Sequence, residues 1–168
     1  MHRVLLGLGT NLGDKTKNLE LTLESISNKI GEITRLSSVY ETKAWGVQNQ
    51  DNYYNLVLEV CTDFLPFALI QKTLEIESSL GRVREKKWDS RIIDIDILFY
   101  ENYIINTDHL QLPHPFIEKR NFVLEPLNEI VSSFIHPKLR NTIWELKAAC
   151  LDKNWIKKLD IKLQPELL

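Results

Sequence analysis

Residues 88 to 98 read WDSRIIDIDIL, an aliphatic run broken by two aspartates. Asp94 and Asp96 stand two positions apart, and Arg91 lies three before the first. In an extended strand, residues i and i+2 share a face, so the two carboxylates project side by side about 7 Å apart. Ile93, Ile95 and Ile97 then line the opposite, packed face. Two anions so placed repel each other unless cations intervene. Mg2+ is a hard ion typically held by one or two carboxylates together with substrate phosphates. On spacing alone, a solvated polar face or a pair of salt bridges explains the aspartates as well as a metal does.

The preceding loop adds weight to the metal. Arg82, Arg84, Lys86, Lys87 and Arg91 surround Trp88, more cations than two acids need for mutual neutralisation. A polyphosphate bridging metal ions and arginines satisfies both sets, because guanidinium forks match phosphate oxygens. Metal ions, cationic clamps and positioning are the parts of a phosphoryl-transfer site.

The chain that must position these residues has 168 of them, enough for one domain with a real core. A hydrophobic share of 43% against 26% charged excludes disorder. A formal net charge of −2 excludes a global field for nucleic acid or anionic membrane. No signal peptide and no membrane span of roughly 20 apolar residues is expected. Cys61 and Cys150 fit no metal-ligand spacing, and buried free thiols in a reducing cytoplasm are the expectation.

Hydrophobic periods alternate between strand and helix. RVLLGL (3 to 8) is a strand, and Leu19, Leu23, Ile26 and Ile30 mark a helix between Asp14 and Gly31. Residues 33 to 41 and 53 to 60 suit two strands. Pro66 opens a second helix, closed by Gly81, and 91 to 100 is strand-like, with Glu101-Asn102 turning it into a hairpin with the YII segment (103 to 105). Further on, IEKRNFVLEPLNEI reads as a helix interrupted at Pro126, and a final helix starts at Thr142, giving a helical tail over about 140 to 168. The order β-α-β-β-α-β predicts an α+β, ferredoxin-like domain: a mainly antiparallel sheet with helices on one face. Segments 41 to 52 and 82 to 90 are expected to be polar loops.

With those elements in place, R-x-x-D-x-D-I-L (Arg91, Asp94, Asp96, Ile97, Leu98), preceded by G-R-V-R (Gly81 to Arg84) and Trp88, resembles the signature of the 6-hydroxymethyl-7,8-dihydropterin pyrophosphokinase family of folate biosynthesis. LGLGTNLGD, SSVYETKAWG followed by QNQDNYYNLV, and LPHPFIEKRNFVLEPL are similar to further family segments, in the family's order, up to about residue 130. The resemblance implies transfer of pyrophosphate from ATP to the pterin hydroxymethyl group, releasing AMP. It implies Asp94 and Asp96 as ligands of two Mg2+ ions, and Arg82 and Arg91 as catalytic cations on the phosphates. Trp88 would sit on a closing loop, where exclusion of water protects the pyrophosphoryl group. Glu77, Arg84, Lys86, Ile97, His114 and Arg120 fall on the ATP side. Thr42, Lys43, Trp45, Tyr53, Asn55 and Phe122 fall on the pterin side, where aromatics stack a flat ring and an amide meets its polar edge. A monomer acting without nucleic acid or membrane is expected.

Departures from the family pattern lie at Trp45, at Leu74, and between Arg84 and Trp88, where Glu85 or Lys86 replaces a phosphate-binding lysine. Two other readings start from the same residues. Gly7, Gly9 and Gly13 approach a dinucleotide fingerprint, but GxGxxxG is one residue longer than GxGxxG, and these glycines with Asn11 can equally make a tight strand-to-helix turn. A basic, Trp-bearing loop on a ferredoxin-like sheet invites RNA, yet aspartates on the exposed face would repel its phosphates.

Overall fold

The computed structural model describes residues 1–43, 51–81 and 92–163. Strand β1 (His2–Thr10) leads to helix α1 (Lys15–Lys29), which begins where the Asp14 side chain accepts the Lys17 N–H at 3.0 Å. Next come β2 (Gly31–Leu36), β3 (Tyr40–Thr42) and β4 (Tyr53–Thr62), then α2 (Pro66–Ser79) with its proline in the first turn, and β5 (Asp94–Tyr100). β1 lies between β4 and β5, and β2 and β3 pair with successive parts of β4. Every one of these pairings is antiparallel. The expected β-α-β-β-α-β order and ferredoxin-like sheet are present.

The strand expected over 33 to 41 is two strands with a step between them. At the step the Ser37 N–H donates to the Val57 carbonyl, and the Ser37 hydroxyl accepts the Val57 N–H, both at 2.9 Å. A side-chain oxygen thus replaces a backbone acceptor, so β4 loses no bond where its partner bends.

Helices cover both faces of the sheet, which corrects the expectation of one. Leu19, Leu23 and Ile26 of α1 and Leu69 and Ile76 of α2 pack on Val4, Leu6, Leu8, Leu58 and Ile97. On the other face, Val123, Leu124 and Leu127 of α3 (Asn121–Val131) and Ile143 and Leu146 of α4 (Ile143–Ala149) cover Leu5, Val57, Leu98 and Phe99. The cause is visible in β4 and β5, where Leu56 to Val60 and Ile97 to Tyr100 are buried without alternation, as in strands covered twice. Nor does Pro126 interrupt α3. It is buried within a continuous helix, whose packed face offsets the lost backbone bond. The turn before it, Ile117–Lys119, is a separate 3-10 segment that ends at the extended Arg120.

Two more expectations change. Glu101 and Asn102 do turn the chain, but β6 (Ile105–Asn106) pairs with β7 (Gln111–Leu112) and not with β5. The outer edge of β5 instead meets His114, whose N–H donates to the Leu98 carbonyl at 2.9 Å. Pro113 and Pro115 beside it have no N–H to offer. The tail is not helical throughout, because Ile156–Lys158 forms β8 and adds to the sheet beside β3. Cys150 is buried and Cys61 half-buried, and both are free thiols. Among the described residues no helix is long and apolar enough to cross a membrane.

Two positions test this packing. A Cβ on Gly31 would overlap the Cys61 carbonyl of β4. Gly31→Ala should therefore cost about 1–3 kcal/mol in urea unfolding. His136 is 4% exposed, and its Nδ1 accepts the N–H groups of Lys138 and Leu139 at 3.2 and 3.1 Å. Burial holds its pKa below the ordinary value, against the opposing charge of Glu118. The unfolded chain takes up a proton near pH ~6.5, so this stability is complete above that pH and falls as pH drops toward the lower folded pKa. His136→Asn keeps an acceptor that does not titrate. The urea midpoint of that variant should fall less between pH 7 and 5 than that of the unaltered chain.

Candidate active site

The register of β1 brings the sequence-predicted residues together. Gly9 stands opposite Asp94 on one side and Asn55 on the other, and Asn55 stands opposite Tyr40. Gly7 stands opposite Asp96 and Val57. A row across the sheet therefore runs Asp94, Gly9, Asn55, with no side chain at its centre. A Cβ on Gly9 would come within 3.2 Å of Asn55 Oδ1 and 3.9 Å of the Tyr53 ring. With strands about 4.8 Å apart, the aspartate and the amide are rooted about 10 Å apart across a glycine floor. These glycines thus lie within β1 and do not make the turn into α1; Gly13, at φ 68°, lies in that turn. The same placement removes the dinucleotide reading, which needs the glycines at the helix N-terminus.

At the β5 end, Asp94 and Asp96 are half-buried on the glycine face while Ile95 and Ile97 sit in the core. Glu77 of α2 is 2% exposed, and its Oε1 accepts the Ile95 N–H at 2.7 Å. It grips β5 from the edge, between the two aspartates. His114 Nε2 lies 3.9 Å from Asp96 Oδ1. That spacing would make an ion pair if the ring were charged, but burial and then the Arg120 charge lower its pKa. The neutral ring is the form at pH 7. A cavity of about 300 Å3 opens along this edge, lined by residues that include Thr73, Leu74, Glu77, Ile97, Leu110 and His114, large enough for a small ligand.

At the other end, Asn55 Nδ2 donates to Thr42 Oγ1 at 2.8 Å, and both residues are buried. Tyr53 registers with Thr42, and Lys43 is exposed just beyond β3. Phe122 packs half-buried against the second core, with the Arg120 guanidinium 5.9 Å from its ring centre. The structure therefore gathers Thr42, Tyr53 and Asn55 at one end, and Asp94, Asp96, Glu77, Ile97 and His114 at the other. Arg120 carries charge to the His114 side from beside Phe122. Trp45, Arg82, Arg84, Lys86, Trp88 and Arg91 lie outside the described residues.

Sequence reasoning missed two contributors. Asp108 to Gln111 line the cavity, and a polar TDHLQ run just before Pro-His-Pro was their signal. Lys15 Nζ donates to the Asn52 carbonyl at 3.0 Å and sits 4.4 Å from the Tyr54 ring centre, tying the approach to β4 onto α1. Nothing in a lone lysine at a helix start announces that role.

Among the described residues, no cluster of three or more His, Cys, Asp or Glu is arranged to hold a metal. Asp94 and Asp96 alone suit an ion that keeps open positions for water and phosphate, and do not make a closed protein cage.

Residues 5–132 match the model of the family described as 7,8-dihydro-6-hydroxymethylpterin-pyrophosphokinase (HPPK). The 2-amino-4-hydroxy-6-hydroxymethyldihydropteridine pyrophosphokinase of Aquifex aeolicus is 44% identical over 147 residues, covering 88% of this chain and 91% of that one. The enzyme of the same name from Methylorubrum extorquens is 40% identical over 136 residues, 80% of this chain and 86% of its own. A crystal structure of Plasmodium falciparum HPPK-DHPS with pteroate superposes at a TM-score of 0.73 with 20% identity. It covers 88% of this chain, which spans 42% of that longer one, and the likeness speaks for the fold. On the family match and these identities together, the chain belongs to the 7,8-dihydro-6-hydroxymethylpterin-pyrophosphokinase family.

Proposed function

We propose that the two ends of the glycine floor are the two substrate sites of this family's reaction, the transfer of pyrophosphate to 6-hydroxymethyl-7,8-dihydropterin in folate synthesis. ATP is the donor, and the reaction is Mg2+-dependent. The observation that carries the proposal is the row Asp94, Gly9, Asn55: paired carboxylates at one end, a buried amide at the other, and a residue without a side chain between.

The pterin hydroxyl oxygen forms a bond to the β-phosphorus of ATP. The bond from that phosphorus to the α-phosphate bridging oxygen breaks, AMP leaves, and the hydroxyl proton is lost. Asp94 and Asp96 would hold two Mg2+ ions, which when bound neutralise the phosphate oxygens and orient them. Glu77 fixes the strand that carries both aspartates. The cavity beside Ile97 and His114 takes the nucleoside, and the neutral His114 ring adds no cation beside Asp96. Asn55 and Thr42 meet the polar edge of the pterin, with Tyr53 and Phe122 against its faces. Arg82 and Arg91 act on the phosphates, and Arg84, Lys86, Trp88 and Arg120 add to the ATP side. Lys43 and Trp45 border the pterin. Free Cys61 and Cys150 suit a reducing cytoplasm.

AMP formation from ATP and Mg2+, with and without the pterin, and mass spectrometry of the pterin product test the reaction. Pterin-dependent AMP with a pterin diphosphate is the expected result; a folded, Mg2+-supplied chain that makes no AMP would defeat it. Asp94→Ala or Asp96→Ala should lower turnover by several orders of magnitude while thermal unfolding barely moves, and full activity in either removes the metal assignment. Gly9→Ala separates floor from fold. Alanine suits a strand interior better than glycine by about 0.5–1 kcal/mol, which opposes the 3.2 Å contact with Asn55 Oδ1, so stability should change by no more than about 1 kcal/mol. Pterin KM should rise about tenfold as the new methyl presses on Asn55, a loss of about 1.4 kcal/mol in binding. Unchanged pterin KM would mean that nothing is bound over Gly9.

A further inference from the structure

The C-terminal strand β8 holds no residue assigned to either substrate, yet it is built onto the pterin end. β3 is three residues long, too short to be secure on the strength of β4 alone. Its other edge is taken by β8, with Tyr40 opposite Lys158 and Thr42 opposite Ile156. The Leu159 N–H donates to the Val39 carbonyl at 2.9 Å and extends the pairing past the strand end.

One carboxylate joins these pieces. Glu129 of α3 accepts the Ser38 N–H at 3.1 Å, the Ser38 hydroxyl at 2.8 Å, the Tyr40 hydroxyl at 2.9 Å and Lys158 Nζ at 3.0 Å. Burial alone would raise the Glu129 pKa, but the bonds from Ser38, Lys158 and Tyr40 outweigh it and hold the carboxyl below its usual range. The network is therefore charged at neutral pH, with Lys158 as its cation. Tyr40 is opposite Asn55, and strand alternation puts Tyr40 and Thr42 on one face. What fixes Tyr40 therefore fixes the strand that carries Thr42, the acceptor of the Asn55 amide bond.

We propose that β8, through Lys158, is a positioning element for the pterin side of the site: it holds β3 in register, so that Thr42 fixes the Asn55 amide. The proposal rests on the assignment of Thr42 and Asn55 to the pterin. Its reach is one-sided, because the cavity beside β5 lies across β1, β4 and β3 from β8.

The test measures pterin and ATP affinities separately, with KM for each substrate, in Lys158→Met, Lys158→Arg, Tyr40→Phe and Asn55→Ala. Lys158→Met should weaken pterin binding about two- to fivefold, the size of one partly exposed charged contact. ATP affinity should stay within error, and Lys158→Arg should recover most of the loss. Tyr40→Phe should move pterin affinity in the same direction. Lys158→Met with unchanged pterin affinity, or with equal losses for both substrates, overturns the positioning role. Asn55→Ala tells the two levels apart. If it weakens pterin while Lys158→Met does not, the inference alone fails; if it too leaves pterin binding intact, the pterin assignment fails and takes the inference with it.

Discussion

The register of β1 is the constraint on which the site depends. β1 is hydrogen-bonded on both sides, to β4 and to β5, so one strand sets the relative placement of the aspartates and the amide. Val4, Leu6 and Leu8 lock that register, since all three are buried under α1 and α2. A slip of one residue would turn them out and bring the glycines into the core. The irregularity in the β1–β5 pairing falls between Leu5 and Leu6, beyond the aspartates. There Leu98 and Phe99 both reach the second core, while Asp94 and Asp96 keep unbroken partners in Gly9 and Gly7. The bulge thus adapts β5 to two cores without disturbing the half that carries the aspartates.

Electrostatics then decide what this geometry can bind. Asp94 and Asp96 lie on one face, and Glu77 is buried on the other side of the same strand. Two charges about 7 Å apart cost roughly 2 kcal/mol at an effective dielectric near 20. A polyphosphate brought to that place meets further repulsion of the same kind. The chain's net charge of −2 gives no general relief. Local cations must supply it, whether bound divalent ions or side chains, and this holds whatever the second substrate is. His114 is kept neutral by burial and so does not provide it.

Much of this was legible in the sequence because it depends on period and punctuation. The alternation of Asp94, Ile95, Asp96 and Ile97 gave their faces, and Asp14, Gly31 and Pro66 marked helix ends that the structure bears out. What was not legible depends on partners far along the chain. β8 is three residues long and carries no periodic signal, so only β3 beside it makes it a strand. The second helical layer was not legible, because apolar runs such as Ile97 to Tyr100 do not say what covers them. The resemblance placed Glu77 on the ATP side, but its bond to the Ile95 N–H, which explains its burial, depends on a strand 18 residues further on. Pro126 reads as a break in the sequence because its cost is local, whereas the packing of Leu124 and Leu127 that offsets it is tertiary.

The placement of the site at β5 also follows from sheet physics. An edge strand exposes alternate backbone groups and must be covered or blunted. Here the cover is partial. The Glu77 carboxylate takes the Ile95 N–H, and the His114 N–H takes the Leu98 carbonyl, with Ile97 between them beside the cavity. Each cap comes from a side chain or a lone amide between prolines, and among the described residues no further strand pairs with this edge. A complete strand there would stabilise the sheet more, and it would fill the space beside the aspartates. Those two bonds hold β5 at its edge and leave the cavity beside Ile97 open.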